Sequence, residues 1–312
     1  MDFMTRLQNS WDLFTKSLTV MMAYKKLMFF PFITFALTTL IIIFFIAPVA
    51  LQPTGYSYTE PQHWKAIAQT IFTDNSTDAR NMYDKRHSVK LTNNGALFVA
   101  LIYFVSMFFA TFFTVAFYSE ILYALNGQDV EILRGLLFAG TKIPSILLWS
   151  LFAGLIGYLI RTLEEKVGLF GKIIFGVIGI AWSVASIFVI PFIITETSLN
   201  PFHLLRQSAD TLKKTWGESL IGYVGIQLGG IAVLISSLVM LGGAVFIAIK
   251  LQSASFMITA IAVWLIGILA FSYLATVANH IYRCALYLFA VDGKIPAPFD
   301  QAAMQSAWKM KE

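Results

Sequence analysis

Six stretches of this chain, at 27–51, 96–125, 143–160, 173–195, 220–249 and 256–282, stay apolar for long enough to cross a bilayer. A helical span needs about 20 such residues. Hydrocarbon offers no partner to a bare amide, so each stretch is expected to be a helix. Charged residues make up only 12% of the 312, and hydrophobic ones 58%. A soluble domain carries about 25% charged residues, so the apolar excess must face lipid. The expected fold class is an all-α integral membrane protein with six transmembrane helices arranged as three hairpins.

Before the first apolar run come Asp2, Arg6, Asp12, Lys16, Lys25 and Lys26. The run itself is longer than the roughly 7–15 residues of a signal sequence's core, so it reads as a retained span. Cys284 is the single cysteine, which excludes an intramolecular disulfide and a cysteine-built metal site. Six spans place both termini on one side. That side collects 13 Lys and Arg residues and the other 9, of which five fall in the long loop 52–94. Long loops cross regardless of charge, so the short connections decide, 13 against 4, and the termini are expected to be cytoplasmic.

Segments between the spans share a design. In "PFHLLRQSADTLKKTW", Phe202, Leu205, Ala209, Leu212 and Trp216 recur at helical spacing among His203, Arg206, Asp210, Lys213 and Lys214. Such a stripe predicts an amphipathic helix, and Pro201 suits its first turn. Near the start, Phe3, Leu7, Trp11, Phe14, Leu18 and Met21 do the same. A shift of 198 residues superposes "SWDLFTKS" on "SADTLKKT", pairing Ser10 with Ser208, Asp12 with Asp210 and Lys16 with Lys214. A looser copy has Leu133, Leu136 and Leu137, and a last one Phe299, Ala303, Ala307 and Met310. The chain, 1–312, therefore reads as one membrane domain of three units, 1–125, 126–197 and 198–291, closed by a helix at 297–311. Each unit opens with a cytoplasmic amphipathic helix lying in the membrane plane, and 52–94 forms an extracytoplasmic loop. Lys25, Lys26, Lys213, Lys214, Trp11 and Trp216 are the expected membrane-interface residues, since indoles favour the headgroup region and lysines favour anionic lipid. An ordinary solvated connecting helix, or one packed beneath the bundle, is the competing placement.

Charge within spans is costly and calls for a partner. The polar set is Glu120, Glu196, Gln227, Asn279, His280 and Arg283. Glu120, Glu196 and Arg283 all fall near cytoplasmic ends, so a buried cluster of the three is geometrically open. A packing clamp or snorkelling to the interface is favoured over transport. Gly154 with Gly157, Gly176 with Gly179 and Gly225 with Gly229 allow close helix approach, and Pro191 predicts a kink. In the loop, Trp64, Ile67, Ala68, Ile71 and Phe72 form a short helical stripe broken by "TDNSTD", and Asn75 opens a glycosylation sequon.

No phosphate loop, H-E-x-x-H pair or G-x-S-x-G elbow occurs. His63, His87, His203 and His280 lack acidic partners at a recognisable spacing. The expectation is therefore no enzyme, no cofactor, no metal and no nucleic acid. "GIAWSVASIFVIPFIITE" followed by "LLRQSADTLKKTWGE" resembles the signature stretch of a prokaryotic multi-pass family without an established activity. The residues carrying it are Trp182, Ser183, Pro191, Glu196, Arg206, Ser208, Lys214, Trp216, Gly217 and Glu218. The likeness is strong over 170–230 and absent from 52–94. That family is similar in layout to the membrane domain attached to some glycerophosphodiester phosphodiesterases, although this chain has no hydrolase domain. The resemblance implies a bacterial inner-membrane protein. The expected function is to organise membrane lipid, anionic lipid included, or a partner protein or second copy. A transporter or channel for a small solute or lipid, built on the intramembrane polar set, is the alternative.

Overall fold

A computed structural model describes residues 3–74, 89–215, 220–301 and 304. The chain runs through α1 (Phe3–Ala23), a 3-10 turn (Lys25–Met28), α2 (Phe29–Ala50), α3 (Pro61–Ile71), β1 (Phe72–Asp74) and β2 (Val89–Leu91). It continues through α4 (Asn93–Leu125), α5 (Ile132–Thr141), α6 (Ile143–Lys166), α7 (Leu169–Ala185) and α8 (Val189–Thr195). Then come α9 (Pro201–Thr215), α10 (Leu220–Lys250) and α11 (Ala254–Asp292). The two short strands pair antiparallel with Phe72 opposite Leu91.

Among the described residues, six helical segments are long and apolar enough to span: 25–50, 93–125, 143–166, 170–195, 233–250 and 254–292. The chain is a multi-pass membrane protein. Local chemistry sets several ends. The Thr92 hydroxyl accepts from the Gly95 amide at the start of α4, and the Ser253 hydroxyl from the Phe256 amide at the start of α11. These caps satisfy amides with no partner inside the helix. Gly127 and Gly293, at φ of +76° and +65°, follow α4 and α11 in the left-handed conformation that glycine adopts without a Cβ clash. The fourth span departs from a simple kink at Pro191. It breaks into α7 and α8 around 186–188, and Pro191 sits within α8, where its missing N–H cannot extend a continuous ladder back to Ile187.

Sequential spans pack in pairs, α2 on α4, α6 on α7 and α10 on α11, and α4 also touches α6, α8 and α11. The buried core lies toward one end of these spans, here called the basal end. It joins the C-terminal parts of α4 and α11 with α8, the start of α6 and the inner faces of α1, α5 and α9. Elsewhere the spans leave large apolar side chains exposed, such as Phe35, Phe44, Met240 and Ile266. Water would penalise so large an apolar surface, and hydrocarbon does not.

The three amphipathic helices bury part of the stripe read in the sequence, with Leu212 and Met21 buried and Leu205, Leu18 and Leu136 packed on the core, but each is turned from the expected face. In α9 the buried positions are Leu204, Ser208 and Leu212, while Phe202 is exposed. In α1 they are Leu13, Ser17, Val20 and Met21, and Trp11 is 60% exposed. In α5 the small residues Gly135 and Ala139 face inward, and Leu133 and Leu137 are 68% and 65% exposed. A membrane protein can turn large apolar residues outward and pack small or singly polar ones inside. The buried face therefore only partly coincides with the stripe of greatest hydrophobicity.

Candidate functional site: the basal rim and its cavity

α5 is locked to α4 by a buried charge pair. Glu120 has no exposed surface. Its Oε2 accepts from the Glu131 amide at 2.7 Å and from Arg134 Nη2 at 2.7 Å, and its Oε1 from Arg134 Nε at 3.0 Å. The same Nη2 donates to the Asp129 carbonyl at 2.6 Å, and the guanidinium lies 4.1 Å from the centre of the Tyr123 ring. The bonds to Glu120 raise the Arg134 pKa further above its already high value, outweighing burial. The sequence left a cluster of Glu120, Glu196 and Arg283 open, whereas these two side-chain bonds to Glu120 come from Arg134. α5 can approach this closely because residue 135 is glycine. A Cβ there would stand 2.8 Å from the Ala116 carbonyl oxygen and 2.8 Å from Glu120 Cγ.

Glu196, at the end of α8, belongs to a separate cluster. Gln207 Nε2 donates to its Oε1, and His203 Nδ1 stands 4.0 Å from its Oε2. Lys142 Nζ donates to the Glu196 carbonyl at 2.6 Å, tying the start of α6 to the end of α8. Burial holds the Lys142 ammonium below its ordinary pKa of 10.5. His280 contributes elsewhere again: its Nδ1 lies 3.0 Å from the Tyr118 hydroxyl, and its ring packs edge-on against Phe117 and Tyr118. Arg283 follows within the same helix, partly buried.

Between the basal ends of α4, α8 and α11, beside α5 and α9, lies a cavity of about 600 Å³. Ser119, Leu122 and Tyr123 line it from α4, Asn126 and Gln128 from the following turn, and Phe138 from α5. Phe192, Ile194, Thr195 and Glu196 face it from α8 and its end, with Gln207 from α9 and Tyr287, Leu288, Val291 and Asp292 from α11. Thr195 Oγ1 donates to the Pro191 carbonyl at 3.1 Å, so at 2.8 Å it takes the Tyr287 hydroxyl as a donor. Of the described members of the expected polar set, only Glu196 lines this space. The sequence pattern missed the rest because Asn126, Gln128 and Asp292 sit in or beside connections, where polar residues are ordinary. No group of three metal-ligating side chains occurs among the described residues.

Among the described residues, the expected interface residues do not line this cavity. Lys25, Lys26 and Lys213 are exposed, and Lys213 stands 3.9 Å from Asp210. Trp11 projects beside Phe14, with ring centres 5.6 Å apart. Trp216, the side chains of Lys214 and Gln227, Asn75 and most of 297–311 lie outside the described residues. Lys16 bonds both Asp12 and Asp300, fastening the segment that carries buried Phe299 and Met304 against α1.

Residues 94–297 match the Family of unknown function (DUF6159). The match covers well over half of the chain, and the chain belongs to this family. No curated protein matches the chain, and no solved structure does.

Proposed function

We propose that this family member is a non-enzymatic multi-pass protein of a bacterial inner membrane that organises lipid, anionic lipid in particular, at the cytoplasmic face. The observation carrying the proposal is the orientation of α1, α5 and α9 at the basal end. Their small or apolar inner faces seat on the core, and Trp11, Leu133, Leu137, Lys25, Lys26 and Lys213 are turned outward. An exposed surface of indole, leucine and lysine suits the boundary between headgroups and acyl chains. Each Lys near an anionic leaflet contributes about 1 kcal/mol of attraction. In this reading each of three units is an in-plane helix followed by a pair of spans. The excess of basic residues on the short connections of that side supports cytoplasmic termini. A protein partner or second copy would use the same rim.

Against a transporter built on one shared polar site stands the dispersal of that set. Glu120 is engaged by Arg134, His280 by Tyr118, and Glu196 by Gln207. Extraction into nanodiscs with native lipid, followed by lipid identification, tests the proposal. Anionic lipid should be enriched over the bulk membrane, and replacing Lys25, Lys26 and Lys213 with Glu should abolish the enrichment. Equal lipid composition around both proteins would refute it.

A further inference from the structure

The basal cavity has a composition of its own, distinct from the cationic rim. Its described lining holds two acidic side chains, Glu196 and Asp292, and no Lys, Arg or His. It also holds four aromatic rings, those of Tyr123, Phe138, Phe192 and Tyr287. Ring faces attract cations within about 6 Å, and two of these rings already hold a cation of the chain itself. Arg134 lies over Tyr123 at 4.1 Å, and Lys142 stands 5.8 Å from the centre of Phe138.

Hydrogen-bond accounting narrows the ligand further. Glu196 receives one N–H from Gln207 and has His203 Nδ1 4.0 Å from its Oε2, whereas a carboxylate can accept about four, and its side chain is 27% exposed. On the same wall, Gln207 Oε1 is buried without a hydrogen-bond partner among the described residues. Buried carbonyl oxygens are nearly always satisfied, so this one calls for an N–H or O–H donor. Asp292, at the mouth, is only loosely engaged by Lys294 at 4.0 Å. Leu122, Ile194, Leu288 and Val291 supply apolar wall, and about 600 Å³ lies within the usual range for a small-molecule site.

We propose that this cavity binds a primary ammonium group carried on a short apolar or amphiphilic body. Its N–H groups would meet Glu196 and Gln207 Oε1, with Asp292 as the outer counter-charge. A quaternary ammonium has no N–H to offer Gln207 and should bind less well. Two sources share this chemistry: the headgroup of an ethanolamine phospholipid and a free alkylamine.

The test uses the full chain in nanodiscs of choline-headgroup lipid. Butylammonium is titrated by calorimetry, with butanol and butyltrimethylammonium as controls. Butylammonium should bind saturably, and more tightly than either control. Glu196→Gln, which keeps size and shape, should weaken it about tenfold, as loss of a charge-assisted bond would. Asp292→Asn, at an exposed helix end, should give a smaller loss without altering the melting temperature. In nanodiscs of mixed ethanolamine and choline lipid, native mass spectrometry then separates the sources. Retained ethanolamine lipid assigns the site to a headgroup, and its absence alongside butylammonium binding assigns it to a soluble amine. Equal affinity for butylammonium and butanol, or an unchanged affinity in both folded variants, overturns the proposal. Because the rim and the cavity recognise opposite charges, anionic-lipid enrichment and amine binding can fail independently.

Discussion

Arg134 grips the fully buried carboxylate of Glu120 through both of its oxygens, at 3.0 and 2.7 Å, across the turn that joins α4 to α5. This pair fixes one of the three basal helices to the helix at the centre of the packing. It also orients the surface that carries Leu133 and Leu137. The fork of a guanidinium matches a carboxylate in a way that an ammonium cannot.

Arg134→Ala should therefore destabilise the protein by about 3 kcal/mol, the lower end of the range for breaking a buried pair, because the arginine is itself partly exposed. Combining it with Glu120→Gln should restore part of the loss, since the stranded charge goes as well. Thermal unfolding of the two single variants and the double variant gives the coupling directly. Simple additivity would show that the pair does not act as a unit.

Two glycines of α5 should respond in opposite directions. Gly135→Ala drives a methyl to 2.8 Å from the Ala116 carbonyl and should cost about 1–3 kcal/mol. At Gly140 a Cβ meets nothing within 4 Å, so Gly140→Ala should be neutral or stabilising by up to about 1 kcal/mol. Melting temperatures of the two variants, compared side by side, check the close approach of α5 to α4.

Lys16 gives a pH signature. Burial lowers its pKa, but the bonds and charges of Asp12 and Asp300 outweigh burial and carry it above 10.5. A raised pKa means that the folded state holds this proton more tightly. The stabilisation is complete below 10.5 and disappears as pH climbs through the folded-state value. The melting-temperature advantage of wild type over Lys16→Met should stay flat up to about pH 9 and close above 10.5. An advantage that grew with pH would contradict the contact.

His63 pins the loop beyond α2. Its Nε2 donates to the Ala50 carbonyl at 2.9 Å while its Nδ1 accepts from the Thr54 hydroxyl at 2.6 Å, and the ring is buried beside Tyr58 and Trp64. His63→Ala should open residues 51–60 to proteolysis while the rest of the chain unfolds at nearly the same temperature. Cleavage no faster than in wild type would show that other contacts hold the segment.

The spans were legible because hydrocarbon imposes a long apolar run on each one, and the sequence boundaries fall within a few residues of several helix ends. Helix faces were harder to read. In water the apolar stripe of a helix marks its buried side, whereas here Phe202, Leu133 and Leu137 are exposed, as the proposed seat at a membrane surface would allow. Leu204, Ser208, Gly135 and Ala139 could then take the inner positions. The partner of Glu120 was equally hidden, since Arg134 lies beyond the Gly127 turn and reads as one more cation on a basic rim. A readable signal did exist, a carboxylate near the end of one span followed by an arginine in the first turn of the next helix. The cavity gave none, because its lining comes from the ends of separate elements that only folding brings together.

Sidedness is the most direct measurement of the account as a whole. With Cys284, the single cysteine, replaced by Ala, one new cysteine is placed at Lys213 and, in a second protein, at Trp64. An impermeant maleimide is then applied to intact cells and to opened ones. The account expects position 64 to react from outside and position 213 only after the membrane is opened. Reaction at position 213 in intact cells would place the lysine-bearing rim on the wrong face and end the proposed role in cytoplasmic lipid organisation.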